Sequence, residues 1–461
     1  MKNIFKINIL LVLLSIIISC ATDTSGDVKD ATDTAINAPD KFSTNNLDKT
    51  DDISPKWLSG FNDPLMLKFI KEVIKNNYDL KIAALNMNKS WLLAKQAGSA
   101  LYPTLDLSIN QTEQGVLDDT DVPNSKSGTI ALQTSWELDL WGRISSGVKS
   151  AEAHAQSVEA DYLFAQYSLS AGVAKNYIKI IETKLQTEIA IKNLKIIQEI
   201  VRITEAKYES GASSSLDVAL GLSNLSSAQE QLIIIKKVQR DSMRALEFLL
   251  GRYPNAQLEV ANKLPNTPPP PSVGLPSQIL ERRPDIISAE RNIASAFDAT
   301  EQKKAARLPS FSLTGTLAST SDSLSNAVKF DTVGWQLSAN ILAPLFDAGR
   351  RKIDMQIATE TQKQAVVNYT KTAMSAFLEV EKNLDQGVAL SKRQIQLLEA
   401  QKQSNKAYNI AQLRYKEGEI SLLDTIQIQQ KAIVADSNVL SIKQALLEQR
   451  INLYLSLGGS W

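Results

Sequence analysis

Few side chains of the kind that usually perform chemistry in proteins occur in this chain. His154 is the only histidine and Cys20 the only cysteine among 461 residues. No glycine-rich phosphate loop follows a predicted strand, and no Cys/His cluster has the spacing of a zinc or iron site. Paired carboxylates occur, but no pair lies in a pattern that suggests catalysis. The sequence therefore argues against an enzyme and predicts no catalytic residue, no metal site and no bound cofactor.

Tyrosine and aspartate residues recur in pairs along the chain. Tyr208 and Asp217 return as Tyr415 and Asp424, each 207 residues later. The same offset relates further positions: Gly142 to Gly349, Arg143 to Arg350, Gly211 to Gly418, and Leu250-Gly251 to Leu457-Gly458. A constant offset over so long a stretch indicates a duplicated module that is far larger than a solenoid repeat.

The spacing of apolar residues predicts the elements that position these groups. Strict alternation of polarity predicts two long hairpins, with strands at about 103–115 and 127–141 and at about 309–319 and 331–343. Spacings of three and four predict two pairs of long helices, at about 142–209 and 213–250 and at about 347–416 and 421–455. Such long amphipathic helices bury their apolar stripes against each other as antiparallel coiled-coil hairpins. Single helices are expected before each strand pair, at 64–100 and 277–306.

The start of the chain has the features of an export signal. Lys2 and Lys6 precede an apolar stretch, and small residues lead to Cys20. A cysteine at this place resembles a bacterial lipobox, which predicts a covalent lipid (palmitate and related acyl chains) on Cys20 and an outer membrane location. An ordinary signal cleaved nearby is the alternative. The predicted organisation is a signal peptide (1–19), a flexible lipid-anchored tether (20–56), a first repeat (57–263), a Pro-rich linker (264–276) and a second repeat (277–461).

Composition limits the remaining classes. Fifty Lys and Arg residues balance fifty Asp and Glu residues without a basic block, so no nucleic-acid partner is expected. Strands of about ten residues with alternating polarity are typical of a membrane barrel, although a half-buried sheet outside the membrane has the same pattern. Four strands cannot close a barrel, because an open edge in lipid leaves backbone groups unpaired. If the strands are in the membrane, the protein must be an oligomer: two copies supply about eight strands and three about twelve.

A set of short motifs carries a family resemblance. In chain order they are Trp57 with Phe61, Asp63-Pro64-Leu65, Tyr102-Pro103, the two Gly-Arg pairs, Gly274-Leu275-Pro276-Ser277, Arg282-Arg283-Pro284-Asp285-Ile286, Arg307-Leu308-Pro309, and Leu457-Gly458-Gly459-Ser460-Trp461. Together they resemble the TolC-like outer membrane factor family, in its NodT-like lipoprotein branch. The resemblance covers essentially residues 20–461. It implies an α plus membrane β-barrel fold, a homotrimer with a 12-stranded barrel and a 12-helix periplasmic tunnel, and as partners a periplasmic adaptor protein and an inner-membrane pump of the RND type.

The resemblance also implies where such a channel is controlled. The tunnel narrows at the turns between long and short helices, 208–217 and 415–424, which we call the first and second tips. The gate candidates are Asp424, Tyr415, Arg414, Glu419, Asp217 and Tyr208. Both aspartates also fit a capping box with a serine three residues earlier; we favour capping for Asp217, whereas capping alone and capping with gating stay open for Asp424. Ile420 and Gln427 depart from a family pattern of arginine and a second aspartate.

Several residues near the strands have structural interpretations. Gly142 and Arg143, and likewise Gly349 and Arg350, are expected to mark strand-to-helix joints rather than binding sites. Trp136 and Trp335 are expected at a membrane interface, and packing at the junction of barrel and tunnel is the alternative. Arg282 and Arg283 are expected to make structural salt bridges at the surface.

The function that the resemblance implies is a passive exit duct in the outer membrane. Small molecules would leave through it from the periplasm or the inner-membrane pump, and adaptor and pump would open its periplasmic end. A duct for type I protein secretion is one alternative. A lipid-anchored periplasmic coiled-coil spacer without a channel is another.

Overall fold

The computed structural model describes residues 24–36, 39, 41–43, 57–115, 125–271, 276–329 and 331–459. Cys20, the signal peptide and most of the predicted tether lie outside these residues. The described residues divide into two compact units, the first within Met1–Asn37, Leu85–Ala160 and Ser288–Thr372, the second within Ala38–Ala84, Asp161–Ile287 and Ala373–Trp461. Each unit combines segments from both sequence repeats, so the packing does not follow the repeat boundary.

Part of the segment predicted as a flexible tether is helical. Helix α1 spans Ser25–Ala35 and buries Val28. The Thr24 hydroxyl donates to Asp298 Oδ1 over 2.9 Å. The expectation of a flexible tether therefore does not hold for these residues, because an apolar contact and a long-range hydrogen bond hold the helix to the first unit.

The four strands form one antiparallel sheet in the order β1-β2-β3-β4. Their bounds are Thr104–Gln114 for β1, Ser125–Leu138 for β2, Ser310–Ser321 for β3 and Val333–Leu342 for β4. The two predicted hairpins join through the β2–β3 pair, in which Leu132 lies opposite Leu317. Strands β1 and β4 are the edges of this sheet. The duplication thus produces one continuous sheet from two hairpins that are far apart in sequence.

The strand register places mostly apolar side chains on one face of the sheet and mostly polar side chains on the other. One row across the four strands contains Leu107, Leu132, Leu317 and Trp335. The adjacent row, which points to the opposite face, contains Asp106, Gln133, Thr316 and Gln336. The Leu324–Ala327 turn lies over Gly128 at one end of the apolar face. The rest of that face is largely uncovered, and Trp335 on it is 80% exposed.

Long helices account for most of the chain. Their bounds are Arg143–Glu209 for α4, Ser215–Leu249 for α5, Arg350–Glu417 for α9 and Leu422–Ser456 for α10. At a rise of 1.5 Å per residue, α4 and α9 each extend roughly 100 Å and their shorter partners about half as far. The predicted architecture of two strand hairpins and two long helical hairpins is confirmed. Among the described residues, no helix is both long enough and apolar enough to cross a membrane.

Two shorter helices precede the first hairpin where one was predicted. Helix α2 spans Pro64–Asn76 and α3 spans Tyr78–Ser99. The Asn77 carboxamide makes the break, because its Oδ1 accepts from the Leu80 amide over 2.9 Å and its Nδ2 donates to the Leu249 carbonyl over 2.9 Å. Asparagine favours such caps since its side chain competes for backbone partners.

The helical core of the second unit lies around α4. Tyr177, Ile178 and Ile181 on α4 are fully buried with residues of the other helices: Met66, Phe69 and Val73 of α2, Leu246 of α5, and Leu447 and Ile451 of α10. Asp63 caps α2 by accepting from the amides of Leu65 and Met66. The Tyr177 hydroxyl donates to the same carboxylate over 3.0 Å. Burial, and secondarily the negative charge of Asp63, raises the pKa of Tyr177.

The second pair of short helices breaks at Arg283, where one helix from Ser277 was predicted. Helix α6 spans Pro276–Arg282 and α7 spans Pro284–Ala305. Pro284 cannot continue the preceding helix. Arg283 is 3% exposed and binds Asp285 with two nitrogens, at 3.0 and 2.7 Å, and Glu379 at 2.8 Å. The salt bridges expected of this residue exist, but Arg283 is buried and not at the surface as expected. Helix α8 is a single turn, Leu324–Ala327, between β3 and β4.

Candidate functional site

Both tips are built on the same backbone motif. Gly211 and Gly418 follow the long helices with φ of 76° and 80°. At the first tip the Gly211 amide donates to the Tyr208 carbonyl, and the Ala212 amide to the Lys207 carbonyl. The second tip repeats both bonds 207 residues later, with Gly418 and Glu419 as donors. This is the Schellman ending of a helix, so the two recurring tyrosines occupy a position whose carbonyl terminates the helix.

Asp217 at the first tip completes a capping box. Its amide donates to Ser214 Oγ over 3.2 Å, and its Oδ2 accepts from the Ser214 amide over 3.1 Å. The hydroxyls of Ser213 and Ser214 also donate to Oδ2. These bonds favour the ionised carboxylate and lower the pKa of Asp217, the backbone bond contributing most.

Asp424 at the second tip makes only part of that pattern. The Ser421 hydroxyl donates to Asp424 Oδ2 over 2.6 Å, and the Asp424 amide donates to Ser421 Oγ over 3.1 Å. Within the described chain no bond from the Ser421 amide completes the box. The carboxylate of Asp424 therefore retains more free acceptor capacity than that of Asp217 for other contacts.

The two tyrosines differ in burial although they are related by the repeat. Tyr208 is 50% exposed, whereas Tyr415 is 6% exposed. Tyr415 packs with Ile200, Leu422 and Ile426 in an apolar cluster. Its hydroxyl shares a 2.8 Å hydrogen bond with Thr204 Oγ1 on α4. Tyr415 thus joins the second helical hairpin to the first.

Lys207 strengthens the same junction from the other hairpin. Its Nζ donates to the Tyr415 carbonyl over 2.9 Å and lies 4.4 Å from the centre of the Tyr415 ring. Its positive charge interacts favourably with the ring face and with the negative, C-terminal end of the α9 helix dipole. We call Thr204, Lys207 and Tyr415 together the inter-hairpin contact. Sequence reasoning missed Thr204 and Lys207; the available signal was that Lys207 is the repeat equivalent of Arg414.

Arg414 and Glu419 make a weak surface pair. Arg414 Nε and Glu419 Oε2 are 3.7 Å apart, and both side chains are about 60% exposed. Exposed ion pairs of this kind contribute about 0–1 kcal/mol. Among the described residues no hydrogen bond joins Tyr415 to Asp424. At the second tip Tyr415 bonds to Thr204 and Lys207 of α4, whereas Asp424 bonds to Ser421 at the start of its own helix.

Each strand-to-helix joint contains a glycine with positive φ, and the first joint also contains an ion pair. Gly142 and Gly349 adopt φ of 73° and 86°, values that other residues rarely tolerate. Arg143 binds Glu137 with two nitrogens, at 3.0 and 2.7 Å. Arg350 has no ion-pair partner in the described part of the chain, and Pro344 stands where the repeat would place an acid. The first joint is therefore the more constrained one.

The strand tryptophans differ in their surroundings. Trp136 donates its indole N–H to the Leu101 carbonyl over 2.9 Å. Trp335 lies on the uncovered apolar face. Their assignment to a membrane interface stays a prediction. The described residues contain no group of three or more His, Cys, Asp or Glu side chains that could hold a metal ion.

Comparison with known proteins gives the family. The family model described as outer membrane efflux protein matches residues 69–252 and 275–459, one segment in each repeat. The chain is 27% identical over 417 residues to the pyoverdine export outer membrane protein OpmQ of Pseudomonas aeruginosa, covering 88% of this chain and 87% of that protein. It is 28% identical over 430 residues to the toluene efflux pump outer membrane protein TtgF of Pseudomonas putida, covering 91% and 88%.

A solved structure shares the fold. The CmeC outer membrane channel of Campylobacter jejuni superimposes with a TM-score of 0.86 at 24% identity, covering 92% of this chain and 93% of that chain. The family match confirms the predicted resemblance, the function as an efflux channel and not an enzyme, and the outer membrane location. The chain belongs to the outer membrane efflux protein family.

Proposed function

We propose that the chain acts as a homotrimer that forms the outer membrane exit duct of a tripartite efflux pump. The observation that carries this proposal is the sheet. Most of its apolar face is uncovered, and β1 and β4 are left as edges. Backbone groups at an edge need partners in lipid, and three copies with four strands each supply twelve strands, an even number suited to closure. The polar face then lines the pore.

The partners and the anchor in this proposal extend the family assignment. A periplasmic adaptor protein and an inner-membrane pump of the RND type would supply the energy, since the sequence has no phosphate-binding loop of its own. The relative TtgF is named as part of a pump. A lipid on Cys20 would add a second attachment to the outer membrane, as would the aromatic residues of the sheet.

Small molecules are the proposed cargo class. The two relatives are named for pyoverdine export and for toluene efflux, which are chemically very different cargoes. Such a range favours a conduit that does not bind its cargo tightly. A protein-secretion role has no comparable support in the described residues, and a spacer without a channel leaves the uncovered apolar face of the sheet unexplained.

We place the gate at the second tip. Asp424 has free acceptor capacity, and three copies around a symmetry axis would present three such carboxylates, an arrangement that favours cations. Tyr415 is held by the inter-hairpin contact, so the second tip cannot move away from α4 without breaking those bonds. Arg414 and Glu419 lie beside it on the surface. Asp217 and Tyr208 at the first tip have a mainly structural role in this proposal.

Two measurements test the proposal. The first is the mass of the detergent-solubilised protein by light scattering, for which a trimer is expected. The second is single-channel conductance in planar lipid bilayers. A monomer that does not conduct would overturn the channel and support the spacer.

The duplication supplies a matched pair of variants for the gate. Combining Tyr415→Phe with Asp424→Asn should raise conductance, because it removes one hydrogen bond of the inter-hairpin contact and the acidic ring. The equivalent change at the first tip, Tyr208→Phe with Asp217→Asn, should have little effect. If conductance and cation preference both stay unchanged in the second-tip variant, the gate assignment is wrong.

A further inference from the structure

We propose that Asp106 determines the charge selectivity of the pore at the level of the strands. Three Asp106 carboxylates, one from each copy, would form a negative ring that favours cations and cationic solutes over anions. This inference rests on the proposed trimeric channel. It concerns a level of the pore that is separate from the tips.

The strand register places Asp106 on the polar face. Asp106 lies opposite Gln133, which lies opposite Thr316, which lies opposite Gln336. Side chains alternate between faces along a strand, so the whole polar face can be read from this one row. Its members are mostly Ser, Thr, Asn and Gln, and the only ionisable ones within the four strands are Asp106 and Glu137. No Lys, Arg or His from these strands shares that face.

Glu137 contributes no net charge to the face. Arg143 binds its carboxylate with two parallel bonds, Nε to Oε1 at 3.0 Å and Nη2 to Oε2 at 2.7 Å. This bidentate geometry is the strongest form of such a pair. The charge of Glu137 is therefore balanced at the start of α4.

Asp106 has no comparable partner. Among the described residues neither an ion pair nor a side-chain hydrogen bond reaches its carboxylate, and the residue is exposed. The one remaining ion pair of the strands, Lys126 with Glu113 at 2.7 Å, belongs to the opposite face. Asp106 is thus the single uncompensated charge that the four strands place on the polar face.

The ring should act over a limited range. Fixed charges are screened over about 10 Å at 0.1 M salt and about 3 Å at 1 M. Selectivity from Asp106 should therefore be strong in dilute salt and disappear in concentrated salt. Charge rings of this type select ions by their field rather than by tight binding.

The test measures the permeability ratio of K⁺ to Cl⁻ in planar bilayers with full-length protein, from reversal potentials in KCl gradients near 0.1 M. Asp106→Asn should lower the ratio at least twofold in dilute KCl and leave it unchanged near 1 M. Arg143→Gln should raise the ratio, because it leaves Glu137 unbalanced. Glu113→Gln on the opposite face is the control and should not change it.

A rescue variant protects the test against a folding defect. Asp106→Asn combined with Gln133→Asp moves the carboxylate to the neighbouring strand in the same row and should restore the ratio. Gln133→Asp alone should raise it. A conducting trimer in which Asp106→Asn and Gln133→Asp both leave the ratio unchanged would overturn the inference while the proposed function stands. Failure of the unmodified protein to form a conducting trimer would overturn both.

Discussion

The inter-hairpin contact predicts a specific defect when Lys207 is replaced by Met. Hydrogen bonds to a charged group contribute about 1.5–3 kcal/mol, and a cation over an aromatic ring at an exposed site adds about 0.5–1 kcal/mol. Lys207 is half-buried, with its Nζ 2.9 Å from the Tyr415 carbonyl, so a value near the lower end is appropriate. If the closed state of each protomer loses about 2 kcal/mol of stabilisation, the equilibrium of that protomer shifts toward the open state by about 30-fold.

Two readouts follow this shift. In planar bilayers Lys207→Met should increase the time spent in high-conductance states. In cells that lack the native duct, the variant should admit a large antibiotic that the unmodified protein excludes. Methionine keeps most of the aliphatic stem of lysine, so the apolar packing beside Tyr415 is largely retained.

Lys416→Met is the matched control. Lys416 follows Tyr415 directly and is exposed, so its replacement removes the same charge at the same tip without touching the inter-hairpin contact. Equal conductance changes in the two variants would show that bulk charge, and not the contact, controls opening. Unchanged conductance in Lys207→Met would show that opening does not separate the two hairpins, and the reasoning would then be refuted.

Three further predictions concern local structure. The lowered pKa of Asp217 means that its capping contribution is complete above the ordinary aspartate pKa of about 3.9 and is lost as pH falls through the lower folded-state pKa. The protection of the amides at 214–218, measured as exchange relative to an unstructured chain at the same pH, should fall with it, and Asp217→Asn should remove this pH dependence of protection. Gly418→Ala should lower the free energy of unfolding by about 1 kcal/mol through its positive φ alone, since nothing lies within 4 Å of the added carbon. Gly98→Ala inside α3, where φ is not positive, should instead raise the free energy of unfolding by about 0.5–1 kcal/mol. Thermal unfolding compares the two variants, and equal effects would contradict the backbone argument. Tyr177→Phe should lower the free energy of unfolding by about 1–3 kcal/mol, because buried Asp63 loses a hydrogen-bond donor. Tyr253→Phe, at a site that is 85% exposed, should leave thermal unfolding unchanged. An unchanged stability in Tyr177→Phe would show that the bond to Asp63 is dispensable.

Local elements were accessible from sequence because they depend on neighbours along the chain. Alternation of polarity identified all four strands, and apolar spacing identified the long helices. The glycines at 211, 251, 418 and 458 all have positive φ and all end helices, and the 207-residue offset pairs the first with the third and the second with the fourth. Glycine adopts positive φ without help from distant segments, so these helix ends can be recognised from sequence in both copies of the repeat.

Contacts between distant segments were less accessible. The sequence places Arg283 at the surface because arginine usually lies there, yet the structure buries it between Asp285, Glu379 and the Ser456 carbonyl. The break at Asn77 was missed because the helical pattern continues through it. The side chain of Asn77 caps the next helix by accepting from the Leu80 amide, and it is fixed in place by a hydrogen bond to Leu249, far along the chain.

The sequence by itself determined the repeat, the order of strands and long helices, and the two faces of each strand; it also predicts more than one copy if the strands are in the membrane. Only the tertiary structure decided that β2 pairs with β3, that Asp106 is left without a partner on the polar face, and that Tyr415 is held by Thr204 and Lys207. The physical reason is that periodicity specifies which side of an element is apolar. Which residues meet across two elements depends on their relative register, and that register is set by packing between segments roughly two hundred residues apart.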